Sequence, residues 1–181
     1  MKSNIEIAKD LAQKIAYLNR LVFNNGVAVH VIPAGNKEWR DESGIALYNT
    51  KDDFYVVVTD NINKLTITTE AGLFGTAAHE VRHRFQHKNP SFILPQDFLT
   101  NEGFIANDAI ARIIHLNKNI PNIDLKLEID SMVIEELVRK TCFGLSLEEI
   151  LNEIKIKDIF SILICNKDNF HEIYLKAHYS P

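Results

Sequence analysis

Apolar residues recur every three or four positions along the first 23 residues of the chain, with charged residues between them. The charged positions include Glu6, Asp10 and Lys14. This period predicts an amphipathic helix, whereas a signal peptide needs an uninterrupted apolar stretch. The apolar positions are Ile5, Ala8, Leu11, Ala12, Ile15, Leu18 and Val22.

Three short runs rich in β-branched and aromatic residues follow, and they predict strands at residues 27–32, 44–48 and 54–58. The polar residues 49–53 between the second and third runs predict a hairpin. A short extra strand is predicted at residues 65–67. A small β-sheet is therefore expected after the first helix.

Beyond Pro90 the pattern changes to helical periods. Helices are predicted at residues 98–116 and 127–140, and Ser146 followed by two glutamates predicts the N-cap of another helix. The strongly apolar residues 154–165 are expected to be buried core. One helix, a small sheet and then several helices predict an α+β fold.

Residues 75–86 contain the pattern His-Glu-x-x-His of zinc hydrolases, at His79, Glu80 and His83. On a helix, residues four apart lie one turn apart on the same face, so both imidazoles can reach one ion. Phe74, Ala78, Val81 and Phe85 fall on a separate, apolar stripe. The helix is expected to begin after Gly72 and Gly75 and to end at Asn89-Pro90. Two surface histidines on an amphipathic helix are the alternative interpretation.

A catalytic zinc site needs a third protein ligand and an open fourth position. His87 continues the series, but on a straight helix it lies about 12 Å along the axis from His79, too far for one tetrahedral ion. The metzincin pattern is excluded, because Gln86 stands in place of its glycine and Asn89 in place of its third histidine. The remaining option for a third ligand is a carboxylate from a later helix, and the alternative is that there is no third ligand.

Residues 84–101 separate His83 from Glu102, a spacing of eighteen residues, and Glu102 lies within an Asn-Glu-Gly-Phe segment. Over residues 76–106 the chain thus resembles the gluzincin metallopeptidases, in particular the zinc aminopeptidase family. The resemblance implies that His79, His83 and Glu102 bind Zn²⁺ and that Glu80 is the general base. The Gly-x-Met-Glu-Asn segment with which that family reads a free amino terminus is missing from residues 45–75.

Arg82 and Gln86 also match the His-Glu-x-Arg-His-x-x-Gln helix of small phage- and plasmid-type zincins, which the chain resembles in this respect. Many of those proteins take the third ligand from a Glu-x-Asp-Ala-like helix start. Two segments are similar to it: residues 106–109, with alanine in place of the glutamate, and residues 128–131, Glu-Ile-Asp-Ser. Glu128 is therefore the alternative to Glu102 as third ligand.

These resemblances imply one zincin-like domain over residues 1–181. Residues 1–89 would supply a helix, a small twisted sheet and the active-site helix, and the mostly helical residues 90–181 would supply the third ligand. The implied function is a zinc metallopeptidase in which Glu80 accepts a proton from a zinc-activated water. The alternative is a non-catalytic zincin-like binding or regulatory module, phage- or toxin-related, that keeps the helix for structure.

Further residues are candidates for supporting roles. An edge strand at residues 53–59 or 65–69 could bind an extended peptide or protein substrate, or bind nothing. Asp108 could accept a hydrogen bond from a ligating histidine. The candidates for an oxyanion donor are His115, His171, Tyr174, His178 and Tyr179.

The composition limits the remaining possibilities. The chain has 181 residues, 46% of them hydrophobic, which fits a single domain. Its net charge is −4 and its basic residues are scattered, so nucleic acid is not an expected partner. The sequence contains no run of about 18 apolar residues, so a membrane span is not expected. Cys142 and Cys165 are expected to be reduced, and the protein is expected to be cytoplasmic.

Overall fold

The computed structural model describes residues 2–39, 44–64, 68–116 and 124–179. These residues form a mixed α+β fold with eight α-helices and one three-stranded sheet, which confirms the predicted fold class. The extra strand predicted at residues 65–67 lies outside the described residues. Of the helices within the described ranges, none has the length and apolar character needed to cross a membrane.

The elements run in chain order as a helix, the strands and then helices. The helices are α1 (Asn4–Phe23), α2 (Glu70–Lys88), α3 (Gln96–Asn101), α4 (Asn107–Leu116), α5 (Leu125–Thr141), α6 (Leu147–Ile150), α7 (Glu153–Leu163) and α8 (Lys167–Tyr179). The strands are β1 (Val29–Ile32), β2 (Ala46–Asn49) and β3 (Phe54–Val58), and Thr59–Lys64 and Pro90–Phe92 are 3₁₀ helices.

The sheet has the order β1-β3-β2, so β3 is its central strand. β2 and β3 pair antiparallel, with Ala46 opposite Val57, which confirms the predicted hairpin. β1 pairs with β3 in parallel. The prediction that residues 53–59 form an edge strand is therefore wrong, because β3 is hydrogen-bonded on both sides.

Helix α1 packs its apolar stripe into the core, and Leu11, Ile15 and Leu18 are fully buried. At its start the backbone N–H of Ser3 donates to the Glu6 carboxylate at 2.7 Å, which satisfies a helix-terminal donor. Asn24 ends the helix in the left-handed conformation, with φ of 51°.

Helix α2 begins earlier than predicted. It starts at Glu70, after Thr69, whose hydroxyl accepts from the backbone N–H of Gly72 at 3.3 Å. Gly72 and Gly75 therefore lie inside the helix and not before it. A methyl group built on Gly75 would lie 3.2 Å from the carbonyl oxygen of Glu135 on α5. The absence of a side chain at Gly75 is what lets α5 approach α2 closely at this point.

The predicted helix at residues 98–116 is two helices, α3 and α4, because Gly103 adopts a left-handed φ of +74°. Glu102 is the C-terminal cap of α3, not a first-turn residue as predicted. Helix α5 agrees closely with the predicted 127–140, and Ser146 caps α6 as predicted, since its hydroxyl accepts from the Glu149 N–H at 3.3 Å.

Cys142 and Cys165 are both free and fully buried, as predicted.

Candidate metal site

His79 and His83 project from α2 toward α5. Their Nε2 atoms lie 3.0 Å apart, and the two rings meet edge to face with centroids 4.7 Å apart. The side chains are 15% and 17% exposed, so the pair is mostly buried but open to solvent on one side. The one-turn spacing on α2 thus gives the predicted pair of converging imidazoles.

Glu128 lies in the first turn of α5 and faces both imidazoles. Its Oε2 atom is 3.4 Å from Nε2 of His79, and its Oε1 atom is 3.3 Å from Nε2 of His83. The Asp124 side chain caps this helix start by accepting from the Lys126 N–H at 3.1 Å, which holds the first turn in place. Among the described residues, His79, His83 and Glu128 form the one group of three potential ligands close enough to hold a metal ion.

Glu102 does not belong to this group, so the predicted trio of His79, His83 and Glu102 does not come together, and the acid beside the two histidines is the alternative candidate, Glu128. Glu102 lies at the end of the six-residue helix α3, and its side chain is exposed. The physical reason is the left-handed turn at Gly103, which ends α3 and directs the chain into α4. An eighteen-residue spacing selects a ligand only where the intervening chain folds as it does in the family that has this spacing.

The Nδ1 atom of His79 faces a second carboxylate of α5. It lies 3.1 Å from Oε2 of Glu135. An ionised carboxylate only accepts hydrogen bonds, so the Nδ1 of His79 carries a proton, and when the imidazole is neutral its Nε2 has the lone pair.

The Nδ1 atom of His83 has two oxygen partners, Oε1 of Gln86 at 2.9 Å and Oγ of Ser131 at 3.2 Å. The amide orientation of Gln86 is fixed on its other side, where Nε2 donates to the Leu127 carbonyl at 2.9 Å and to Asp130 Oδ2 at 2.5 Å. The amide oxygen must then face His83 and accept from its Nδ1. His83 therefore also presents a bare Nε2 toward Glu128.

Asp130, which receives the Gln86 amide, is itself held by Arg82. The Nε and Nη2 atoms of Arg82 donate to the two oxygens of Asp130 at 2.7 and 2.9 Å, and both side chains are fully buried. The remaining donors of Arg82 reach the carbonyls of Leu163 at 2.9 Å and Phe92 at 2.8 Å. Arg82 thus ties α2 to three other segments and supports the hydrogen-bond chain that ends on His83.

With both imidazoles neutral, two Nε2 lone pairs and the Glu128 carboxylate converge on one point. Ligand atoms of a tetrahedral zinc site, bound at about 2.1 Å, lie about 3.4 Å from one another. The observed separations of 3.0, 3.3 and 3.4 Å match that geometry. A cation is the partner that satisfies all three groups at once, and two histidines with one carboxylate are ligands that suit zinc.

The ionisable side chains of the cluster shift one another's pKa values. Burial lowers the pKa of His79, but hydrogen bonds to Glu128 and Glu135 outweigh it and raise that pKa well above its usual value. Burial raises the pKa of Glu128, but hydrogen bonds to His79 and His83 outweigh it and hold that pKa well below the usual range. Without a cation, these shifts describe a protonated His79 paired with the ionised Glu128 carboxylate, and a metal ion would replace the proton between them.

Glu80 lies beside this cluster and is only 6% exposed. Its Oε2 atom is buried and has no hydrogen-bond partner within the described part of the chain. Burial raises the pKa of Glu80, and the neighbouring histidines oppose that rise. A buried carboxylate oxygen without a partner costs stability, so its retention here favours a role in proton transfer over one in packing.

Sequence reasoning identified Arg82, Gln86, Asp130 and Ser131 as motif positions but gave them no role, and it missed Glu135. Two signals were available. Arg82 and Gln86 stand on the same helix as the histidines, and the segment 128–131 places an acid and a hydroxyl within one turn of Glu128. Glu135 lies one turn beyond Ser131 on α5 and belongs to no motif.

The other candidates lie apart from this cluster. Asp108 is exposed on α4 and pairs with Arg112 at 2.8 Å, and it is not a partner of either histidine. Tyr174 and His178 stack on each other in α8 with centroids 3.9 Å apart. The chain matches no family model, and no curated protein or solved structure matches it.

Proposed function

We propose that the protein is a zinc-dependent metallopeptidase of zincin-like architecture, with zinc held by His79, His83 and Glu128. One observation carries the proposal: both Nδ1 atoms are committed to oxygen acceptors, so both Nε2 lone pairs and the Glu128 carboxylate converge on one point. Three ligands leave the fourth position of a tetrahedral ion open, as in catalytic and not structural zinc sites.

Bound zinc would act as a Lewis acid and lower the pKa of a water at the open position to roughly 7. Glu80 would be placed to accept a proton from the attacking water and to deliver it to the leaving amine of the peptide. Its unpartnered Oε2 atom is free to accept the proton. Glu135, Gln86 and Ser131 hold the two imidazoles in the required tautomer throughout.

The proposed substrate is a peptide or protein, and the proposed compartment is the cytoplasm. A buried general base beside one zinc ion is an arrangement that can hydrolyse peptide bonds. Two free, fully buried cysteines fit a reducing compartment.

The test is the substitution Glu80→Gln, which keeps the shape of the side chain and removes its basicity. Wild-type protein loaded with one equivalent of zinc is incubated with a peptide library, and cleavage is read by mass spectrometry. We expect Glu80→Gln to bind one zinc ion and to lose at least about 100-fold in cleavage rate, the loss typical of a removed general base.

A matched control is Glu102→Gln, the same change at an exposed acid, which should cleave as the wild type does. Equal cleavage by Glu80→Gln and wild type would overturn the mechanism. Stoichiometric zinc without any cleavage by the wild type would favour the non-catalytic module instead.

A further inference from the structure

A second feature of the fold is a cavity of about 310 Å³ on another face of α5. Its walls come from the turn before α4, from α4 itself, from α5 and from α8. The apolar wall consists of Phe104, Ile105, Ala109, Ile113, Met132, Val133 and Leu137. Arg112, Glu136, Tyr174 and His178 complete the lining, and no residue of the metal cluster takes part in it.

The charged residues of this lining are already paired. Arg112 donates to Asp108 at 2.8 Å, and Arg139 donates to Glu136. The first pair lies within α4 and the second within α5. Neither charged side chain of the lining therefore depends on a ligand to neutralise its charge. The cavity is therefore suited to an uncharged molecule, because a charged one would lose its hydration without gaining a free counter-charge.

The aromatic part of the wall has a defined geometry. Tyr174 meets Phe104 edge to face with centroids 4.6 Å apart, and it stacks on His178 with an interplanar angle of 23°. Aromatic rings favour offset-stacked and edge-to-face contacts with other rings, and the thioether of Met132 adds a favourable contact of the same kind. The lining thus favours a flat ring over a flexible chain.

His178 supplies a directed polar contact. Its Nδ1 lies 3.2 Å from the carbonyl oxygen of Tyr174, which can only accept, so Nδ1 carries the proton and Nε2 is an acceptor. Burial, aided by the charge of Lys140, lowers the pKa of His178 and keeps the ring neutral near pH 7. The Tyr174 hydroxyl, on the same wall, has no hydrogen-bond partner among the described residues.

We propose that this cavity is a binding site for a small, uncharged aromatic molecule with one N–H or O–H donor, which stacks against the Phe104 and Tyr174 wall and donates to Nε2 of His178. The volume supports a two-ring molecule, since a cavity of about 150 Å³ already accommodates benzene. The site is independent of the proposed zinc chemistry and shares only helix α5 with it.

The experiment titrates the full-length protein with indole and with 1-methylindole, in which a methyl group replaces the hydrogen of the N–H donor. Binding is followed by isothermal titration calorimetry and by amide shifts in ¹H–¹⁵N spectra. We expect saturable binding of indole with shifts centred on α4, α5 and α8, and affinity for 1-methylindole lower by about five-fold, as for the loss of one neutral hydrogen bond.

Three variants test the location of the site and the role of His178. Ala109→Phe places a ring in the cavity and should reduce indole affinity at least ten-fold, whereas Ala111→Phe, at an exposed position of the same helix, should leave it unchanged. His178→Phe keeps a ring on the wall and should abolish the difference between indole and 1-methylindole.

No saturable binding of either molecule up to millimolar concentration would overturn the proposal. Equal losses in Ala109→Phe and Ala111→Phe would also overturn it, provided that thermal melts show both variants to be folded. An unchanged preference for indole in His178→Phe would remove His178 as the acceptor and with it the stated ligand class.

Discussion

The Oε1 atom of Glu128 lies 3.3 Å from Nε2 of His83, across the interface between α5 and α2. This contact decides which acid completes the cluster. It also makes the cluster a property of two helices that are distant in sequence, so the site exists only when α5 is docked on α2.

The first prediction compares the two acids. Glu128→Gln should weaken zinc binding by more than about 100-fold, which is more than the loss of a hydrogen bond to a metal ligand usually costs. Glu102→Gln should bind zinc as the wild type does. Chelator competition measures the affinities. Thermal melts give a second readout, because saturating zinc should raise the melting temperature of Glu102→Gln but not that of Glu128→Gln. The reverse pattern would restore Glu102 as the ligand.

The second prediction concerns the orientation of His83. Gln86→Met keeps the length of the side chain but removes the oxygen that accepts from Nδ1, and Ser131 then remains as the single acceptor. We expect zinc affinity to fall roughly 10- to 100-fold. His87→Ala, at the next and exposed position of α2, should have no effect in the same chelator assay. A similar loss in both variants would mean that the helix, and not the hydrogen bond, had been disturbed.

The third prediction tests the close approach of the two helices. A Cβ atom at position 75 would lie 3.2 Å from the carbonyl oxygen of Glu135 and 3.3 Å from its Cγ atom. The two methyl groups of valine in Gly75→Val would crowd this contact further. Valine has no worse helix propensity than glycine, so the expected loss of about 1–3 kcal/mol in the free energy of unfolding reflects overpacking. Urea unfolding measures it.

Gly26→Val provides the comparison, because nothing lies within 4 Å of a Cβ atom built there. It should change stability by less than about 0.5 kcal/mol, as surface substitutions usually do. If Gly75→Val were as stable as Gly26→Val, α5 would not be in close contact with α2 at this position.

The fourth prediction follows from the two cysteines. Burial raises the pKa of both Cys142 and Cys165 to about 12. Only the thiolate is nucleophilic, and a raised pKa lowers its fraction at every pH below about 12. At pH 8, neither thiol of the native protein should therefore react with Ellman's reagent. Both thiols should react when the protein is unfolded in concentrated urea. Rapid reaction of the native protein would contradict the burial of these residues.

The local elements were largely predictable from the sequence, because each depends on neighbours close along the chain. The one-turn spacing of His79 and His83 gave their common face on α2, and the polar residues 49–53 gave the hairpin between β2 and β3. Gly75 was misread as a residue before the helix, because glycine usually marks a boundary and its use for close helix packing depends on α5.

Which acid would be the third ligand was not predictable from the sequence, because that depends on how α2 and α5 pack. Glu102 and Glu128 each fit a motif, and the local sequence does not distinguish them. The buried pair of Arg82 and Asp130 joins α2 to the start of α5, where Glu128 lies. Pairing an arginine with one of many acids requires the tertiary structure.

The buried Arg82 makes four hydrogen bonds, two of them to Asp130 and two to carbonyl groups from separate segments. Lysine cannot replace it, because a single ammonium lacks the planar fork that reaches both oxygens of a carboxylate and two carbonyls besides. Loss of Asp130 alone would leave a guanidinium uncompensated in the protein interior. Positions 82 and 130 are therefore expected to evolve as a unit: homologues that have changed one of them should have changed the other.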